Sequence, residues 1–239
     1  MELIWEGIKQ AFILLFSGNR EVYEIVLLTI RVSGTAVIIS MVIGIPVGLA
    51  VGLNNFKGKR FVIAIINTGM GLPPVAVGLI VCVLLWRSGP LGLLGLIYTP
   101  TAMIIAQVLI ASPIVAGITL AAVQQINPKL KLQALSLGAS GWQVLWIIIR
   151  EAKLPAFAAV MAGFGGIISE VGAVMMVGGN IKGQTRVLTT ATVQMVRMGQ
   201  LEIAIALVII LLILAFSVNL ILTLIQQKEN KTWAQRFWR

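Results

Sequence analysis

INPKLKLQALSLGASGWQVLWIIIREAKLP, residues 126–155, is the one long segment with hydrophilic flanks between otherwise nearly continuous apolar runs. Asparagine caps helix N-termini, proline suits the first helical position, and glycine closes helices in a left-handed conformation, so Asn127, Pro128 and Gly138 bound a short helix. Local chemistry therefore predicts a punctuated helix at the membrane surface. It leaves two readings open: a linker lying on the bilayer, or a docking element through which a soluble partner moves the membrane helices.

Working outward, composition sets the class. Of 239 residues 59% are hydrophobic and 11% charged, and the mean hydropathy is +1.01. A water-soluble domain of this size would expose that apolar surface, so the chain is expected to be an all-α integral membrane protein. The net charge of +10 is spread over short loops between apolar runs rather than gathered on a polar domain. It therefore points to membrane orientation and away from nucleic acid. Cys82 is the single cysteine and cannot form an intrachain disulfide. The absence of histidine and aspartate leaves little material for acid–base catalysis or a metal site.

Five spans are predicted, at about 24–53, 61–86, 102–122, 156–178 and 204–225, within a single transmembrane domain covering 1–239. Before them, Glu2 and Glu6 stand where a secretory leader would carry positive charge, so this segment is expected to be retained. Trp5, Ile8, Phe12, Leu15 and Phe16 fit one face of an interfacial helix, the alternative being a disordered lead-in. The second span is interrupted by Gly69, Gly71 and the Pro73-Pro74 pair, and the third by Pro113. Proline removes a backbone donor, so each is expected to bend its helix, as a packing kink or as a hinge. Gly163, Gly165, Gly166 and Gly172 favour close approach or local unwinding in the fourth span. Residues 87–100 and 179–200 read as loops.

Alternating sides then divide the basic residues. Eleven lie on one side, three in 54–60, four in the opening stretch and four in the C-terminal tail, against six on the other. The positive-inside rule places the N-terminus outside, with the C-terminus and residues 126–155 in the cytoplasm. Arg31 and Glu170 fall within spans at comparable depth, and because an isolated charge in lipid is costly they are expected to pair, the alternative being that each snorkels separately.

LQALSLGAS, residues 132–140, followed by Leu154-Pro155, resembles the EAA loop of permease subunits of ATP-binding-cassette importers. Ala134, Gly138, Ala139 and Ser140 match; Leu132 replaces the motif's glutamate, Gln133 its first alanine, and the downstream Leu-Pro comes about one turn late. ISEVGAVMMVGGNIKGQTRVLTTA, residues 168–191, is similar to molybdate, sulfate and tungstate permeases. LPPVAVGL (72–79) and SGPLG with YTPTAMIIAQ (88–107) look most like the tungstate branch.

The resemblance implies a type I importer permease fold, five spans plus a cytoplasmic coupling helix, in the cell membrane. It implies no enzymatic activity in this chain, and no G-x-x-x-x-G-K-[ST] phosphate loop occurs. ATP–Mg would act in a separate ATPase dimer. The other expected partners are a second copy of the chain and an extracytoplasmic oxyanion-binding protein. Leu132, Gln133, Ala134, Gly138, Ala139 and Ser140 would couple to the ATPase. Ser169, Glu170, Gly172, Asn180, Thr185, Arg186 and Arg31 would form the pathway or gate, with Pro73, Pro74 and Pro113 as hinges. The implied cargo is tungstate, with molybdate next; another anion such as sulfate, an ion-gradient-driven carrier, or a non-transporting scaffold stays open.

Overall fold

The computed structural model describes residues 2–237, and the side chains of residues 3–228. Among these residues every regular element is helical: α1 (Glu2–Phe16), α2 (Arg20–Leu53), α3 (Lys59–Met70), α4 (Pro74–Leu85), α5 (Pro100–Gln125), α6 (Pro128–Ser136), α7 (Gly141–Glu151), α8 (Lys153–Ile168), α9 (Gly172–Gly178), α10 (Leu188–Arg197) and α11 (Leu201–Phe237). Three helices, α2, α5 and the Leu201–Lys228 part of α11, are each long and apolar enough to cross a bilayer. Two bent pairs, α3 with α4 at 99° and α8 with α9 at 61°, raise the count to five if each is one span.

The bends fall where the backbone is weakened. Between α3 and α4 lie Gly71, Leu72 and Pro73, and Pro74 opens α4 at a position where its missing N–H costs nothing. The expectation of a break at Pro73-Pro74 therefore holds. Pro113 behaves differently: α5 runs unbroken through it, and its ring faces α3, where a Cβ on Gly69 would lie 2.8 Å from the Pro113 Cβ. The fourth span unwinds at Ser169–Val171, just after its glycine-rich turn.

α5 is the centre of the bundle. Its Ala102, Met103, Ala106, Ile110 and Ala111 share one buried core with Val32 and Ala36 of α2, Val77 and Val81 of α4, Phe164 and Ile167 of α8, and Val174 and Val177 of α9. α2 packs along α5 through a stripe of small residues every four positions, Ala36, Ser40, Gly44, Gly48 and Gly52. At Gly48 a Cβ would lie 2.6 Å from the Ala116 carbonyl oxygen, so the backbones approach as only glycine permits. Large apolar side chains such as Ile38 and Val42 of α2 and Leu212, Phe216 and Ile221 of α11 face outward, as a lipid-facing surface requires.

Two expectations are corrected. Residues 179–200 are not a plain loop but carry α10, whose first amide, Leu188 N–H, is taken up by the Thr29 hydroxyl of α2 at 3.0 Å. Residues 126–155 hold a second helix, α7, started by a capping box between Ser140 and Gln143. α1 forms a helix, as one of the two readings expected, and it buries Gly7 and Ala11, where a Gly7 Cβ would fall 2.7 Å from Ile205 Cβ of α11. Trp5, Phe12 and Phe16 are the side that stays exposed, because only the small residues admit α11 so closely.

Candidate functional site

At one end of the bundle α5 exits into residues 126–155. Asn127 Oδ1 accepts the Lys129 N–H at 2.9 Å, Pro128 occupies the first turn, and Gly138 sits at φ +82°. The exit is a complete Schellman motif: Gly138 N–H donates to Leu135 O and Ala139 N–H to Ala134 O, both at 3.0 Å. Ala134 and Ala139 pack with Val144 and Ile148 of α7, which clamps α6 onto α7. The rest of α6 is uncovered: Leu132 is 63% and Leu135 45% exposed among exposed Lys129, Lys131 and Gln133, and Leu137, just past the helix end, is 89% exposed. Six candidate coupling residues are thus brought together in three roles. Leu132 and Gln133 are exposed, Ala134 and Ala139 pack internally, and Gly138 and Ser140 set the backbone of the two helix ends.

Toward the opposite end, the α8–α9 break holds Ser169, Glu170 and Gly172. The Glu170 carboxylate accepts the Ala173 N–H of α9 at 2.9 Å, while its backbone carbonyl accepts from the Thr189 hydroxyl of α10 at 3.1 Å. Glu170 therefore closes the end of a half-helix, where a carboxylate is electrostatically favoured. Among the described residues it forms no ion pair with Arg31, contrary to expectation; its Oε1 is turned to the Ala173 N–H instead. Ser169 is exposed and donates to Gly165 O, and Gly172 packs against Val75 of α4. From α5, Gln107 donates at 3.1 Å to the Ile167 carbonyl, which also accepts the Glu170 N–H at 3.2 Å, so α5 is tied to the last turn of α8 just before the break.

The α9–α10 connection is stapled by Thr185, fully buried, whose hydroxyl donates to Gly178 O and accepts from Ile181 N. That commitment makes Thr185 a loop-holding residue in this conformation rather than an open ligand. Asn180, at φ +51°, donates to Gln194 Oε1 and leaves its own Oδ1 buried without a partner. Arg186 reaches back to the start of α2. There Glu21 receives Lys182 Nζ at 2.6 Å and Arg186 Nη1 at 3.5 Å. Arg31, in no ion pair among the described residues, lines the same cavity of about 560 Å³ as Arg186, with Arg20, Glu21, Glu24 and Lys182.

Glu21 and Thr29 escape sequence reasoning for a definite reason. Glu21 follows the Asn19 cap of α2 and reads locally as a first-turn acid favourable to the helix dipole. Nothing in its neighbourhood announces partners at 182 and 186. The Ser140-x-x-Gln143 box, by contrast, is a local signature that marks the start of α7.

The fold is that of the membrane subunits of type I ATP-binding-cassette importers. A chain of the bacterial transporter that imports the acidic polysaccharide alginate superposes with a TM-score of 0.73 at 20% identity, covering 92% of this chain and 83% of that one. A second crystal structure of a bacterial alginate transporter, in complex with an alginate pentasaccharide-bound periplasmic protein, gives 0.72 at 19% identity over 90% of this chain and 84% of that one. Residues 44–231 match the binding-protein-dependent transport system inner membrane component family, and the chain belongs to that family. It is a transport subunit, not an enzyme.

Among its relatives, the tungstate uptake system permease protein TupB of Peptoclostridium acidaminophilum is 43% identical over 95% of this chain and 100% of its own length. TupB of Campylobacter jejuni is 36% identical over 92% of each. Permeases named for molybdenum or sulfate transport stand further off, at 23–28%.

Proposed function

We propose that the chain is the permease of an ATP-driven oxyanion importer, carrying tungstate first and molybdate next. The observation that carries the ATP-driven part is the set of bare leucines on and just after α6, Leu132, Leu135 and Leu137, between the Asn127 cap and the Gly138 turn. Apolar side chains so exposed outside the bilayer lose free energy to water until a partner covers them. An ATP-hydrolysing subunit docked there would push on α6, and through the α6–α7 clamp on α8, whose last turn meets the break at Ser169. The cargo reading rests on the relatives named for tungstate uptake.

In this reading two copies of the chain face each other across the pathway, because one docking helix per chain calls for a symmetric pair on an ATPase dimer. Each bent pair counts as one span, giving five. The N-terminus and the Arg186 end lie outside, where a binding protein delivers the oxyanion, and α6 and the C-terminus lie in the cytoplasm. Ser169, Glu170 and Gly172 at the α8–α9 break, with the Pro73-Pro74 break of the α3–α4 pair, are the points where the helices change direction and where a gate would move.

Reconstitution in proteoliposomes with an ATPase subunit and an oxyanion-binding protein tests this directly. The expected result is ATP-dependent uptake that favours tungstate over molybdate and sulfate. Uptake driven by an ion gradient without ATP would point instead to a secondary carrier and overturn the proposal.

A further inference from the structure

The cavity at the start of α2 is lined by charge that local pairing does not exhaust. Arg20, Glu24, Leu27, Leu28 and Arg31 recur at helical spacing on one face of α2, and Glu21, Lys182 and Arg186 close the opposite side. Arg20 is taken up by Glu24 at 2.9 Å. Glu21 serves two cations at once, Lys182 closely and Arg186 at 3.5 Å, which is longer than a good charge-assisted hydrogen bond. Arg186 is only 11% exposed and its Nε is buried without a partner. A guanidinium offers five donors, so most of its capacity here is unmet. Arg31, about 16 Å along α2 from Arg20, has no carboxylate among the described residues. Four cations against two carboxylates leave the cavity with two positive charges.

A cavity with an excess charge of two, an arginine without a carboxylate among the described residues and a largely buried, under-satisfied guanidinium fits a small doubly charged anion rich in oxygen acceptors. We propose that this cavity is an oxyanion-binding site in which Arg31 and Arg186 hold a doubly charged tetrahedral oxyanion, and in which Glu21 competes with that anion for Lys182 and Arg186. Glu21 then acts as an internal stand-in: its carboxylate keeps the cations paired while the site is empty and gives them up when the oxyanion arrives. Competition of this kind keeps binding weak enough to release cargo onward. The inference rests on the oxyanion reading and deepens it by naming a receiving site at the α2 and α10 end of the subunit. A phospholipid phosphate presents the same chemistry, so the test separates the two sources.

The assembled transporter, permease with its ATPase in nanodiscs and without binding protein, is dialysed against tungstate, and bound tungsten is counted at equilibrium. Arg31→Gln and Arg186→Gln are each expected to weaken binding about tenfold or more. Glu21→Gln, which removes the competitor, is expected to tighten it about threefold or more. A merely structural Glu21 gives the opposite sign or no change, and either result overturns the proposal. Should Arg186→Gln fail to assemble, Arg186→Lys keeps the charge but loses the fork, and unweakened binding there counts equally against it. Parallel nanodiscs of phosphatidylcholine and phosphatidylglycerol form the second arm. Phosphatidylglycerol retained by the wild type and lost from the arginine variants, with no tungstate bound in either bilayer, assigns the site to lipid and overturns the proposal. ATP-dependent uptake measured on the same wild-type preparation keeps the two ideas apart. Uptake without binding at this cavity removes the site and leaves the importer reading standing, whereas binding without ATP-dependent uptake removes the importer reading and leaves the site.

Discussion

Replacing Gly138 tests whether α6 works as a rigid lever. Gly138 sits at φ +82°, and a Cβ built there meets nothing within 4 Å, so any cost of substitution is conformational rather than steric. For an ordinary L-residue a left-handed conformation costs about 1–2 kcal/mol. Two hydrogen bonds, Gly138 to Leu135 and Ala139 to Ala134, depend on that conformation. Raising its energy by 1–2 kcal/mol should increase the population with an open α6 end by roughly 5- to 30-fold. Gly138→Ala is therefore expected to leave membrane insertion intact and to speed amide exchange at Gly138 and Ala139 by that factor. Substrate-stimulated ATP hydrolysis by the assembled transporter should fall in parallel. Asparagine tolerates the left-handed region better than alanine or valine, so Gly138→Asn should be the mildest of the three substitutions and Gly138→Val the most damaging. Equal damage from Asn and Val, or faster exchange with fully stimulated ATPase, would refute the lever argument.

Three further outcomes follow from particular contacts. Gly48→Ala places a methyl 2.6 Å from the Ala116 carbonyl oxygen and should cost about 1–3 kcal/mol in thermal unfolding of the detergent-solubilised protein, whereas Gly34→Ala on the same helix, with nothing within 4 Å, should be neutral or stabilising. Leu137→Ser, at a residue 89% exposed in the isolated subunit, should leave the fold unchanged and weaken ATPase binding by about 2 kcal/mol, roughly 30-fold in Kd. Thr185→Val keeps the shape but strands Gly178 O and Ile181 N, and should lower the melting temperature by an amount matching about 1–3 kcal/mol.

What the sequence made legible is what local chemistry encodes. Asn127, Pro128 and Gly138 act at their own positions, so α6 is readable with its ends. The Pro73-Pro74 and Gly165–Gly172 regions weaken helices wherever they stand, so both breaks are foreseeable, although their angles of 99° and 61° are not. Pro113 shows the limit of that reasoning. The same residue type leaves α5 unbroken because its ring packs against Gly69, a partner 44 residues away in the chain. α10 is hidden for a related reason: its start is satisfied by Thr29, 159 residues distant. The Arg31–Glu170 expectation failed similarly, since it weighed depth in the membrane and not the local acceptor demand that turns the Glu170 carboxylate to Ala173.

Thr29 and Glu170 together explain how the two ends of the subunit can communicate. α10 is tied at Leu188 to α2 and at Thr189 to the Glu170 carbonyl, so it spans from the first membrane helix to the break in the fourth. Glu21, two turns before Thr29 on α2, is tied to Lys182 and Arg186 on the loop that leads into α10. A displacement of α8 that starts at α6 and α7 must therefore either break the Thr189–Glu170 bond or carry α10 with it. Carrying α10 moves Arg186 relative to Glu21, and with it the contact that is already long at 3.5 Å. The bond that yields first decides which end leads. Thr189→Val removes one link while leaving Thr29–Leu188 in place, so if α10 transmits the motion, docking of the ATPase should still occur in this variant but should no longer alter the accessibility of a cysteine introduced at Lys182. Unaltered coupling between docking and that cysteine would instead place the transmission on α5, which packs against both breaks through Pro113 and Gln107.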